Sequence, residues 1–217
     1  MNFDSYSGDY VIFGVGGLGR ELWGWIRHAG DAGAPQRLVA FVADDAEPGQ
    51  HYDGIPVLRR EAAQALAGGR VHYLNAVGDS GARRKIAESL ADAGWEALGY
   101  VHESVLRGVN VRLGRGVVVC PWSTLSSDCR VGEHVLVNVR CGVAHDVAVG
   151  AYSVLLGSVS LNGNVTVGEG VTVGAGALVH PGRRIGDGAT VGMGSAVFTH
   201  VKAGTTVIGN PARRLEA

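Results

Sequence analysis

A two-part fold is expected, an α/β half followed by a parallel β-helix, and two periodicities predict it. Strand-then-helix alternation runs to about residue 100, and an aliphatic residue then recurs at every sixth position from Leu113 to Val197. The first pattern belongs to a parallel α/β sheet and the second to a coil of hexapeptide repeats. Composition agrees with both. Glycine fills 35 of 217 positions, about 16 % against an average near 7 %. With only 6 prolines and no Gly-X-Y period, these glycines mark tight corners rather than collagen or a linker.

From Tyr10 onward the segments read YVIFG, LGRELWGWIRHAG, RLVAFVAD, REAAQALAGG, VHYLNAVG and ARRKIAESLADAG. They supply three or four strands, which is one Rossmann-like mononucleotide half and not the two joined halves of a dinucleotide fold. Gly14-Val15-Gly16-Gly17-Leu18-Gly19 is a G-x-G-x-x-G between the first strand and the first helix, where helix-start amides hold a phosphate. A tight turn needed only for packing is the other reading. Asp44 and Asp45 end the second strand, where a carboxylate reaches a ribose hydroxyl or a base edge. The domains are expected at 1–103 and 104–217.

In the second half the aliphatic run is Leu113, Val119, Leu125, Val131, Val137, Val143 and onward to Val197, without a slip. Three six-residue sides make one triangular coil of about eighteen residues, so residue n lies under residue n+18 at about 4.8 Å. Glycine follows the aliphatic position at Gly114, Gly132, Gly150, Gly168, Gly174, Gly186 and Gly192. Small residues precede it by two places at Ser123, Cys129, Cys141, Ser153, Ala177, Ala189 and Ser195. The open coil ends need covers: the α/β half is expected at one end and the tail after Gly204 at the other. The flat outer faces are expected to pack on other subunits, and a three-sided prism favours a homotrimer.

His145-Asp146 falls on an outer corner, where a histidine is free to act as a base and an adjacent carboxylate fixes its tautomer. A solvated corner pair is the plain alternative. One coil above His145 the numbering places Gly163, whose amide would stand as an oxyanion donor. Cys129 and Cys141 read as core thiols. Histidines 102, 134, 180 and 200 are scattered and no metal site is expected. Arg183, Arg184, Arg213 and Arg214 read as solvated, or as a cluster that could meet a ligand phosphate.

A net charge of −1, from 19 Lys and Arg against 20 Asp and Glu, offers no surplus for a nucleic-acid partner. The opening MNFDSYSGDY has no basic or apolar leader character, and no apolar run approaches the length of a membrane span. Three cysteines without C-x-x-C spacing suit a reducing compartment, and a cytoplasmic location is expected.

The segments VIFGVGGLGRE, FVADD, AVGDSGARRKI around Gly78, VAHDVAVG and VIGNPARR give the chain its likeness. It resembles the two-domain sugar acetyltransferases of the hexapeptide-repeat superfamily, which include sialic acid O-acetyltransferases and nucleotide-aminosugar N-acetyltransferases. The resemblance implies a left-handed β-helix, a trimer with active sites between subunits, and acetyl-CoA in the groove between helices. It implies His145 as general base, with Asp146 beside it and the Gly163 amide facing the thioester oxygen. On the acceptor side it implies Asn138, Gly78 and Asp79 besides the Gly14–Gly19 loop and the two acidic residues. The pantetheine would run by Gly174, Ala175, Gly192 and Met193, with Pro211 near the adenine. Many aminosugar members carry histidines where this chain has Leu18 and Val154.

The expected reaction is direct acetyl transfer from acetyl-CoA to the amine of a nucleotide-linked 4-amino-4,6-dideoxyhexose, for cell-surface glycan biosynthesis. The alternatives are O-acetylation of a sugar hydroxyl, a nicotinamide-dependent oxidoreductase, and a non-catalytic trimeric scaffold.

Overall fold

The computed structural model describes residues 3–29 and 36–216. Met1 and Asn2 of the opening segment, Gly30, where the sequence ends its first helix, residues 31–35 and Ala217 lie outside the described residues.

The first half holds β1 (Gly8–Phe13), α1 (Gly17–Ala29), β2 (Gln36–Val42), β3 (His51–Tyr52), β4 (Ile55–Leu58), α2 (Arg60–Ala67), β5 (His72–Asn75), α3 (Ser80–Asp92) and β6 (Glu96–Ala97). They form one sheet in the order β3-β4-β2-β1-β5-β6. The sheet has six strands where the sequence suggests three or four. The added pieces are β6 and the β3–β4 hairpin, which turns on Asp53-Gly54, both at positive φ. Asp-Gly between short apolar runs is a hairpin signal. Because β1 pairs in parallel with β2 on one side and β5 on the other, the crevice beyond the carboxyl end of β1 is a topological switch point.

From Tyr100 the chain winds as a left-handed β-helix with three faces. Strands of the first face begin at Tyr100–Val101, of the second at Leu106–Arg107, and of the third at Arg112–Leu113. Successive coils pair in parallel at n and n+18, as in Val131 over Leu113 and Val143 over Leu125. The second residue of each strand points to the axis, so the six-residue aliphatic ladder forms one buried core with Leu113 at its edge. The small residues two places earlier are buried beside it, and the hydroxyls of Ser123 and Ser153 close turns on the carbonyls of Asn138 and Gly168. A Cβ on Gly114 or Gly174 would lie 2.5 Å from a backbone nitrogen of the next coil, so those glycines are set by coil-to-coil approach.

At each corner one residue lies in the left-handed region, at every sixth position from Asn110 to Gly194, with φ of 55–69°. Beyond Val197 the spacing contracts: Ile185 meets Val201 and Thr190 meets Thr206, offsets of 16. Arg213–Arg214 then turns back antiparallel on Thr206–Ile208, and Val201, Val207 and Ala212 join the core. The tail thus closes this end, as expected.

The α/β half does not close the other end. It lies along the first face, where the outward residues Tyr100, Val118, Leu136 and Val154 of four successive coils share a buried cluster with Leu22, Ile26 and Leu98. A flank of four coils offers far more apolar area than the end of one. The end left over carries a concavity of about 330 Å³ lined by Val101, Leu113 and Val117 among others.

Candidate active site

His145 follows the second-face strand Gly142–Val143, and Asp146 occupies the left-handed corner position with φ 59°. That corner turns the Asp146 carboxylate back on its neighbour: His145 Nδ1 lies 2.9 Å from Asp146 Oδ2. Facing an ionised carboxylate, Nδ1 carries the proton and Nε2 keeps its lone pair. Both side chains are more than half exposed, at 62 % and 55 %.

Gly163 lies one coil above, as the numbering predicts. A Cβ built on it would stand 2.5 Å from His145 Cε1 and 2.6 Å from Nε2, so the imidazole occupies the space a side chain would need. Gly163 is itself buried, its carbonyl accepts from Gly182 N–H, and its own N–H has no partner among the described residues. A lone-pair nitrogen thus sits beside an unspent amide donor, the pairing that proton removal and oxyanion stabilisation require.

In the phosphate loop the four glycines divide into two kinds. Gly14, at φ 105°, donates to the Val42 carbonyl, and a Cβ there would lie 3.0 Å from the Ala76 carbonyl oxygen. Gly19 has no room for a Cβ because of the Gly14 carbonyl. Packing fixes these two. Gly16 and Gly17 are exposed with open space around them at the start of α1, where amides can approach a ligand. Leu18 is half-buried against the cluster between the halves, and Val154 is fully buried in it.

Asp44 is engaged: Arg60 grips its carboxylate with bonds of 2.5 and 2.8 Å and stacks over Phe13 at 4.9 Å. Asp45 is exposed. Asp79 caps α3 by accepting from Ala82 N–H at 2.7 Å, which leaves Gly78 exposed beside it. Asn138 lies at the corner between first and second faces and holds its Oδ1 on Val139 N–H at 2.7 Å. Ala175 and the exposed Met193 follow on that same corner in higher coils, while Gly174 and Gly192 pack against Met193 and Ile208. Pro211, exposed, follows a cis peptide bond near a concavity of about 440 Å³ lined by Lys202, Arg213 and Arg214.

The fold brings His145, Asp146 and Gly163 together on one corner. It sets the phosphate loop, Gly78 and Asp79 apart from them, and no hydrogen bond, ion pair or ring contact among the described residues joins the two groups. All three cysteines are free and buried, and burial pushes the Cys141 thiol up to about 11. Among the described residues no group of three His, Cys, Asp or Glu converges as metal ligands, and no helix is long and apolar enough to cross a membrane.

Sequence reasoning passed over one buried histidine. His134 is 3 % exposed and stacks on Tyr152 at 5.5 Å, with Nδ1 unpartnered and its carbonyl bound by the buried Arg83. Desolvation first, then Arg83 and Arg115, push it down to about 4. The n+18 rule, which places His134 directly under Tyr152, was the available signal.

No family model matches the chain. It is 30 % identical over 156 residues to GDP-perosamine N-acetyltransferase of Escherichia coli O157:H7, covering 71 % of this chain and 70 % of that one. The chain belongs to the hexapeptide-repeat sugar N-acetyltransferases. Among solved members of this family, WeeI from Acinetobacter baumannii AYE superposes with a TM-score of 0.89 at 28 % identity, over 96 % of this chain and 100 % of that one. PerB from Caulobacter crescentus, in complex with CoA and GDP-perosamine, gives 0.85 at 30 % identity, over 98 % of each chain. As a sugar N-acetyltransferase the chain moves an acetyl group from acetyl-CoA to the amine of a nucleotide-linked aminosugar. The hydroxyl-acceptor, oxidoreductase and scaffold alternatives are set aside.

Proposed function

We propose that the acceptor is a GDP-linked 4-amino-4,6-dideoxyhexose of the perosamine kind, and that His145 is the general base. The acceptor reading is supported by two relatives, each 30 % identical, one a GDP-perosamine N-acetyltransferase and the other solved with GDP-perosamine bound. The mechanistic reading rests on one observation above all: an imidazole oriented by a carboxylate at 2.9 Å and seated on a glycine whose amide is unspent.

His145 Nε2 takes a proton from the sugar amine as the nitrogen attacks the thioester carbon. Asp146 stabilises the resulting imidazolium, and the Gly163 N–H donates to the tetrahedral oxyanion. Collapse expels the CoA thiolate, which takes the proton from Nε2, leaving an amide and a free thiol with no covalent enzyme intermediate. Ala175, Met193 and Pro211 would line the path of CoA, and Lys202, Arg213 and Arg214 would meet its phosphates. Gly14–Gly19, Gly78, Asp79 and Asn138 would hold the nucleotide sugar. Asp45 is the better placed of the two acids for the ribose or base, because Asp44 is held by Arg60.

Domains divided near residue 103 and a homotrimer in the cytoplasm complete the reading. Asn138 and His145 stand at opposite edges of the second face, with the left-handed corner at Arg140 and the strand Gly142–Val143 between them. A head-to-tail ring, in which the His145 corner of one subunit meets the Asn138 corner of the next, would join base to acceptor and close with three copies. Light scattering should give three times the chain mass.

The decisive experiment measures thiol release from acetyl-CoA with UDP-, GDP- and dTDP-linked 4-aminosugars and with their 4-hydroxy counterparts. The GDP-linked amine should be preferred, and His145→Ala should lower kcat about 10²–10⁴-fold with a smaller change in KM. Near-normal turnover by His145→Ala would refute the base assignment, and preference for another nucleotide would refute the acceptor.

A further inference from the structure

Arg83 is the largest fully buried side chain of the molecule among the described residues, and it faces no carboxylate. Its Nη1 donates to the carbonyls of Asn75 at 2.7 Å and Val77 at 3.0 Å, both in the segment that leads into Gly78 and Asp79. Its Nε donates across the junction to the His134 carbonyl of the β-helix, and Nη2 has no partner. The Asn75 side chain answers by donating to the Arg83 carbonyl and accepting from Val77 N–H at 3.2 Å.

Burying a guanidinium against carbonyls alone is costly, and burial pulls its proton affinity down to about 10. Apolar packing would join the two halves more cheaply, and the Tyr100–Val154 row already does so. What the guanidinium adds is a fork of fixed geometry, tying one loop to one point on the β-helix. The same stretch of α3 makes two more crossings: Ser80 Oγ to Thr172 Oγ1 at 3.2 Å, and Arg84 to Glu169 at 3.2 Å with its guanidinium over Tyr152. The braced segment in turn supports the phosphate loop, since Gly14 packs on the Ala76 carbonyl and on Val77.

We propose that Arg83 is a positioning residue for the acceptor. It sets the height of the two nucleotide-facing loops, Gly14–Gly19 and Ala76–Asp79, against the β-helix that carries the acetyl donor. It touches neither substrate. The inference rests on the reading that these loops hold the nucleotide sugar.

The test compares wild type, Arg83→Met and Arg83→Lys as full chains, measuring kcat and both Michaelis constants with the nucleotide 4-aminosugar that wild type turns over fastest. A misplacement of about 1 Å costs on the order of 10²-fold. Arg83→Met should raise the KM for the sugar about 10- to 100-fold and leave that for acetyl-CoA within about twofold. Arg83→Lys, which keeps the charge but not the fork, should fall between. Lost stability alone would lower the amount of active enzyme and move neither KM, so unchanged sugar KM in the variants overturns the proposal. If Arg83→Met does not fold, the sugar KM of the Lys variant decides between the same two outcomes. Hydrogen exchange of wild type with and without GDP separates the two levels. Protection of residues 14–19 and 76–79 with unaltered variant kinetics removes the role of Arg83 alone; no protection with GDP, UDP or dTDP removes the loop reading with it.

Discussion

The lower and upper coils of the β-helix solve the same corner differently. All fifteen corners from Asn110 to Gly194 take a left-handed backbone, yet from Gly170 upward every corner is glycine, whereas below it only Gly116 is. Glycine is the inexpensive residue there, since a side chain in that region costs roughly 1–2 kcal/mol, less for Asn and Asp. The lower corners mostly use the side chains they keep. Asn110 bonds Asp128 at 2.9 Å, Trp122 carries Arg140, His134 stacks on Tyr152, and Asp146 holds His145. Where the upper coils follow the backbone's preference, the lower ones depart from it to build contacts and, at one corner, a reaction site.

Gly163→Ala should break that comparison hardest, because it leaves the corner backbone intact and only evicts the ring seated on it. A loss of about 10²–10⁴ in kcat is expected, the scale of a displaced general base, since alanine keeps the N–H that faces the oxyanion. In a His145→Ala background the same change should have little effect on Tm; a full cost there would mean that the ring is not what Gly163 accommodates.

His134 should show next, through acid. Its pKa falls from 6.5 unfolded to about 4 folded, so the unfolded chain gains a proton first and stability is lost as pH drops from 6.5 toward 4. The loss is at most about 3 kcal/mol. Thermal melts of His134→Asn should fall less steeply across that window, and a slope equal to wild type would contradict the burial.

Asp146→Gly sharpens the contrast by giving a lower corner the upper coils' residue. Turnover should fall about 10- to 100-fold for want of an oriented imidazole, while Tm stays within about 2 °C. An equal fall in both would make Asp146 structural. The smallest pair isolates the backbone: Ser158→Gly should gain up to about 1 kcal/mol and Gly176→Ala lose about as much, since a Cβ on Gly176 meets nothing within 4 Å. Denaturation midpoints check both.

Much of this was legible in the residues. The aliphatic ladder names the coil, and adding 18 to 145 finds Gly163. The corner conformation was also written there, in Gly116 and Gly170 to Gly194, but side chains on the lower coils obscure the period. The covered face was readable too. The outward residues Tyr100, Val118, Leu136 and Val154 are apolar, against Arg112, Arg130, Ala148, Thr166 and Arg184 on the third face. What the numbering does not carry is the junction. The engagement of Asp44 by Arg60 is a tertiary contact within the first half, and that of the His134 carbonyl by Arg83 depends on how two separately patterned halves meet. Neither period encodes that meeting.

The contraction from 18 to 16 residues at the last turn has a consequence for the size of the molecule. A ladder of interchangeable rungs has no natural length, and its bare top would accept a rung from any passing chain. By stepping out of phase and folding Arg213–Arg214 back in the opposite sense, the chain offers a newcomer the wrong spacing and the wrong direction. A motif able to grow into a fibre is thereby given a finite stature.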